Sequence, residues 1–79
     1  MFTFHQLQEA CNEVGYNVTI HQYDCGERVT VRYPDGKELF STSKDCGEEP
    51  SAVDITTAYM LAEGYIRDSD IPDAKPDTD

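Results

Sequence analysis

The hydrophobic period of this chain changes twice within 79 residues, and that alternation restricts the possible folds more than any other feature. From Thr3 to Val14 the residues Phe4, Leu7, Ala10, Cys11 and Val14 recur at helical spacing, while Gln8, Glu9, Asn12 and Glu13 fall on the opposite side. Thr3 and Gln6 have capping-box spacing, Phe2 and Leu7 are placed for a hydrophobic staple, and Gly15 stands where a terminating glycine belongs. From Asn17 to Thr42 the period becomes two. Val18 and Ile20 alternate with Thr19 and His21, and Val29, Val31 and Tyr33 alternate with Arg28, Thr30 and Arg32; Leu39-Phe40 leads a third, shorter run. The turn sequences Asp24-Cys25-Gly26-Glu27 and Pro34-Asp35-Gly36-Lys37 separate the runs and predict an antiparallel meander. Helical spacing resumes at Pro50-Ser51, where Ser51 and Asp54 have capping-box spacing. The stripe Ile55, Ala58, Tyr59, Ala62, Tyr65, Ile66 predicts a helix to about Arg67, with Gly64 a weak point near its end.

These elements predict an α+β fold of order α-β-β-β-α, a three-stranded antiparallel meander with two helices packed on one face. A small sheet with one apolar side needs such a cover. The expected core is Val18, Ile20, Val29, Val31 and Tyr33 beneath Phe4, Leu7, Val14, Ile55, Tyr59 and Ala62. Residues 1–67 are expected to form a single compact domain, and 68–79, with two prolines and five aspartates, a flexible acidic C-terminal tail.

Charge narrows the function. Sixteen acidic against six basic residues leave a formal net charge of −10, which a domain of this size carries on its surface. The favoured partner is therefore basic, and direct nucleic-acid binding is disfavoured. The N-terminal Met1-Phe2-Thr3-Phe4-His5-Gln6 has neither a basic region nor an apolar run, and no segment has the length of a membrane span. A soluble, unsecreted protein of the cytoplasm is expected.

No residue set predicts catalysis or a cofactor. His5 and His21 lack a Ser or Cys neighbour at nucleophile spacing, and no calcium-loop pattern is present. The three cysteines, Cys11, Cys25 and Cys46, fit no zinc spacing, and Cys11 reads as a small core residue. The tetrapeptide Asp-Cys-Gly-Glu occurs twice, at 24–27 and 45–48. In a meander the first turn and the exit of the third strand share one end of the sheet, so the two copies are expected to be neighbours. Cys25 and Cys46 then read either as two reduced turn cysteines, the preferred alternative for a reducing compartment, or as a disulfide closing a loop of about 20 residues.

The same end collects Asp24, Glu27, Asp45, Glu48, Glu49 and Asp54, offset in nearby sequence only by Arg28 and Lys44. A second group, Glu13, Asp35, Glu38 and the tail acids, is expected at the opposite end. Such runs are commonly solvated faces; the functional alternative is that spaced carboxylates imitate phosphates toward a groove lined with Lys and Arg. On that alternative the six residues 24, 27, 45, 48, 49 and 54 are the partner-binding candidates.

In size, acidity, element order and lack of catalytic groups the chain resembles the anti-CRISPR proteins, and the stretch FSTSKDCGEEPSAVDITTAYMLAEGY (40–65) is similar in character to small phage proteins. The resemblance implies stoichiometric inhibition without catalysis: binding to a subunit of a CRISPR effector and blocking of its DNA-contacting surface. It transfers no site residues. The competing expectation is a small adaptor or structural interaction module whose acidity serves solubility. Oligomeric state is not specified by either.

Overall fold

A computed structural model describes residues 3–71. The order is α1 (Phe4–Glu13), β1 (Asn17–Tyr23), β2 (Gly26–Arg32), β3 (Glu38–Asp45) and α2 (Ala52–Ala62), followed by a short 3-10 turn at Asp68–Asp70. The strands form one antiparallel sheet in the order β1-β2-β3, so the expected α+β meander is the observed fold. β3 is the longest strand and not the shortest, because its polar run Ser41–Asp45 pairs with β2 as far as Gly26. No described helix is long and apolar enough to cross a membrane.

Register explains which side is covered. Val18 pairs with Val31 and Ile20 with Val29, and across the sheet Val31 opposes Phe40, so these side chains share one face. Val18, Val29 and Val31 are buried there with Leu7, Ala10 and Cys11 of α1 and Ala52, Val53 and Met60 of α2. α1 lies along β1, and α2 lies along β2 and β3. The opposite face stays open and carries Thr19, His21, Arg28, Arg32 and Ser43, with Thr30 and Ser41 sharing a hydroxyl hydrogen bond of 3.2 Å at its centre.

The helix boundaries follow local chemistry. Thr3 Oγ1 accepts the Gln6 amide at 3.1 Å and Gln6 Oε1 accepts the Thr3 amide at 3.0 Å, completing the capping box. Phe2, the expected staple partner of Leu7, lies outside the described residues. Ser51 Oγ accepts the Asp54 amide at 3.2 Å and starts α2, where Asp54 also suits the positive end of the helix dipole. α2 stops at Ala62, several residues before the expected end at Arg67, since Gly64 takes φ +82°. Gly64 is thus the helix terminator and not a weak position inside it.

Four further expectations need correction. The buried face of α2 is Ala52, Val53, Thr56, Thr57 and Met60, whereas Ile55 and Tyr59 are half-buried and Ala58 and Ala62 exposed. Thr56 and Thr57 enter the core because each hydroxyl donates to a carbonyl four residues back, Ala52 and Val53, at 2.8 Å. With the hydroxyl satisfied inside the helix, each threonine presents a methyl group to its surroundings. Val14 and Tyr33, both expected in the core, are 42% and 37% exposed, since α1 has ended before Val14 and Tyr33 follows β2 into its turn. Phe4 and Ile20, both expected in the core, are half-buried and pack against its edge. The expected tail boundary also moves. Ile71 is only 5% exposed, within the core cluster, and Asp68–Asp70 lies against α1. The rest of the expected tail, 72–79, lies outside the described residues.

Candidate protein-binding site

The two Asp-Cys-Gly-Glu copies meet. Gly26 pairs with Asp45, and the Cys46 amide donates to the Cys25 carbonyl at 2.8 Å, so the β1-β2 turn and the exit of β3 are joined by main chain. Gly26 permits this approach: a Cβ there would collide with the Lys44 carbonyl oxygen and come within 3.0 Å of the Asp45 Cα. The repeated glycine at 47 has open space around it, so the two copies are not structurally equivalent.

A shallow pocket of about 110 Å³ opens at this junction, lined by Gly26, Glu27, Lys44, Asp45, Cys46, Gly47, Glu48 and Ser51. Three of the six candidate acids, Glu27, Asp45 and Glu48, line it. Asp24 is exposed in the adjoining turn, Glu49 is exposed beside Glu48, and Asp54 is half-buried in the first turn of α2, tied to the pocket through Ser51.

These carboxylates do not all have the same freedom. Glu48 Oε1 accepts the Asp45 amide at 3.0 Å and lies 3.7 Å from Lys44 Nζ. It shapes the loop after β3 besides contributing charge. Lys44 lies inside the acidic cluster as its lining cation. A pair this exposed contributes well under about 1 kcal/mol, so Lys44 trims the local potential without rigidly neutralising Glu48.

A second acidic cleft, of about 220 Å³, is lined by Glu9, Glu13, Ser69 and Asp70. It lies toward the other end of the molecule, where Pro34 of the β2-β3 turn is 3.7 Å from the Cβ position of Gly15. Sequence reasoning placed Glu13 and Asp70 at that end but did not join them through an anchored segment; the signal was Ile71, a lone aliphatic residue after the aspartates. Asp35 and Glu38 are exposed in and beside the β2-β3 turn, and Asp35 accepts the Lys37 amide at 2.9 Å. Among the described residues no group of three or more His, Cys, Asp or Glu is arranged to hold a metal ion.

No family model matches the chain, and no curated protein or solved structure is significantly similar to it.

Proposed function

We propose that this protein is a stoichiometric inhibitor that docks its acidic sheet end on a basic, DNA-contacting surface of a CRISPR effector subunit. The observation that carries the reading is the convergence of Glu27, Asp45 and Glu48 around one pocket, flanked by exposed Asp24 and Glu49, in a chain of net charge −10. Carboxylates spread over a rigid turn-and-strand junction present fixed negative charge to Lys and Arg that otherwise hold phosphates. Interface charge of this kind accelerates encounter and makes affinity fall with salt.

The reading is tested with a panel of purified DNA-free CRISPR effector complexes, titrated with the protein at rising salt and in competition with target DNA. Expected is saturable one-to-one binding to a member of the panel that excludes DNA and weakens steeply with salt. Reversing Asp24 and Glu49 to Lys should lower affinity at least tenfold. These two positions are preferred to Glu48, whose replacement also removes the acceptor for the Asp45 amide. Absence of binding across the panel overturns the effector assignment. Binding that ignores both salt and the reversals overturns charge mimicry and leaves the acidity to solubility.

A further inference from the structure

The junction between the two Asp-Cys-Gly-Glu copies also brings two exposed cysteines together. Ladder pairing of β2 and β3 ends at Gly26 with Asp45, and the turn residues Cys25 and Cys46 lie immediately beyond that last pair. The hydrogen bond from the Cys46 amide to the Cys25 carbonyl, 2.8 Å, shows that the main chains remain at ladder distance there. A hydrogen-bonded antiparallel pair has Cα atoms about 5.5 Å apart, and the main-chain bond between Cys46 and Cys25 sets a comparable separation, within the roughly 4.4–6.8 Å that a disulfide spans. Both cysteines are free and exposed. Cys11, by contrast, is wholly buried in α1, with its thiol pKa pushed up by burial to about 11, so it is neither reachable nor readily ionised.

We infer that Cys25 and Cys46 form a reversible disulfide, a redox clamp that fastens the β1-β2 turn to the segment between β3 and α2. A low-molecular-weight disulfide such as oxidised glutathione is the oxidant. The thiolate of one cysteine, its proton released to solvent, attacks a glutathione sulfur, forming a mixed disulfide and expelling one glutathione thiolate. The second cysteine thiolate then attacks the protein-bound sulfur, closing the Cys25–Cys46 bond and expelling the other. Two protein thiols lose two electrons and two protons, and one glutathione disulfide becomes two glutathiones. The bond closes a loop of about 20 residues that contains β2 and β3. Closure therefore restricts the unfolded chain, while the folded main chain is already in place. The clamp requires no binding partner, so its test is independent of the inhibitor reading.

The full-length folded protein is equilibrated with reduced and oxidised glutathione, acid-quenched, alkylated and mapped by mass spectrometry. Expected is one intramolecular bond joining Cys25 and Cys46, with Cys11 alkylated only after unfolding. Cys46→Ser and Cys25→Ser should each stop at a single glutathione adduct on the remaining exposed cysteine. The oxidised form should melt roughly 10 °C higher than the reduced form, and added dithiol reductant should reverse the shift. Glutathione adducts accumulating on both exposed cysteines of the wild-type chain, a bond involving Cys11, or disulfide-linked dimers as the main product would each overturn the clamp. So would a Cys25–Cys46 bond that leaves the melting temperature unchanged or lower.

Discussion

Tyr16 and Tyr65 occupy the same position in two copies of one helix-ending motif, and their rings meet edge to face at 5.7 Å with 86° between planes. After α1 the Tyr16 amide donates to the Cys11 carbonyl at 2.9 Å and the Gly15 amide to Asn12 at 3.1 Å. After α2 the Tyr65 amide donates to Met60 at 2.9 Å and the Gly64 amide to Leu61 at 3.1 Å. Both are Schellman motifs, with Gly15 at φ +96° and Gly64 at φ +82°. Each helix is thus ended by a Gly-Tyr pair whose ring turns back toward the other. The contact extends on both sides: Tyr33 lies 6.0 Å from Tyr16, Tyr59 lies 6.1 Å from Tyr65, and Phe40 of β3 stacks on Tyr59 at 4.2 Å. This aromatic string joins both helix ends to the sheet.

A double-mutant cycle over Tyr16→Ala and Tyr65→Ala should return a coupling of about 0.5–1.5 kcal/mol, the range for edge-to-face pairs. Urea unfolding of the four variants measures it. Strict additivity would show that the two rings are held independently.

The observed face of α2 makes an unequal pair of substitutions. Met60→Ala, at a fully buried position, should cost about 2–4 kcal/mol, while Ala58→Lys, at an exposed one, should stay within about 0.5 kcal/mol. The apolar stripe read from sequence includes Ala58 and omits Met60, so melting temperatures of the two variants decide between the faces.

Gly26→Ala should destabilise the protein by about 1–3 kcal/mol, because the added methyl meets the main chain of Lys44 and Asp45 and β3 must move away. Ala at Gly47 meets no neighbouring atom, and its cost comes only from the backbone at φ +85°. Hydrogen exchange at the Cys46 amide should rise selectively in Gly26→Ala, since that amide's bond to Cys25 sits beside the forced contact.

Ile71→Ala should cost about 2 kcal/mol or more, although it lies in the acidic segment expected to be a flexible tail. Cutting the chain after Arg67 should be at least as damaging, since it also removes the 3-10 turn that packs on α1. Thermal unfolding of both variants checks this; an unchanged melting temperature in either would return the segment to the status of a tail.

Stability should decline in alkali. Burial lifts the Cys11 thiol from 9.0 to about 11, so between those values the unfolded chain loses a proton that the folded chain keeps. The contribution is therefore intact below about pH 9, falls as pH rises, and is gone above about pH 11. Tyr33 adds to the same decline, its hydroxyl raised chiefly by a side-chain hydrogen bond with Tyr65. Cys11→Ala should make the alkaline fall of the urea midpoint shallower without removing it.

Much of the architecture was legible because it depends on neighbours in sequence. The Thr3-Gln6 capping box, the alternating Val18-Ile20 and Val29-Val31 runs and the two turn sequences are local, and each specifies its own geometry. The meeting of the two Asp-Cys-Gly-Glu copies followed from strand order alone, and with it the gathering of Glu27, Asp45 and Glu48. Tertiary structure decided what depends on competition between surfaces. Thr56 and Thr57 displaced Ile55 and Ala58 from the helix-sheet interface, because a hydroxyl bonded inside its own helix no longer counts as polar to its surroundings. Ile71 is buried because the 3-10 turn before it packs on α1 and brings it into the core cluster, which no local pattern encodes. Sequence by itself thus determined the elements, their order and the two ends at which the charge collects. Packing decided which faces are buried, where the folded segment continues and which carboxylates are engaged, since those outcomes turn on contacts between residues far apart in the chain.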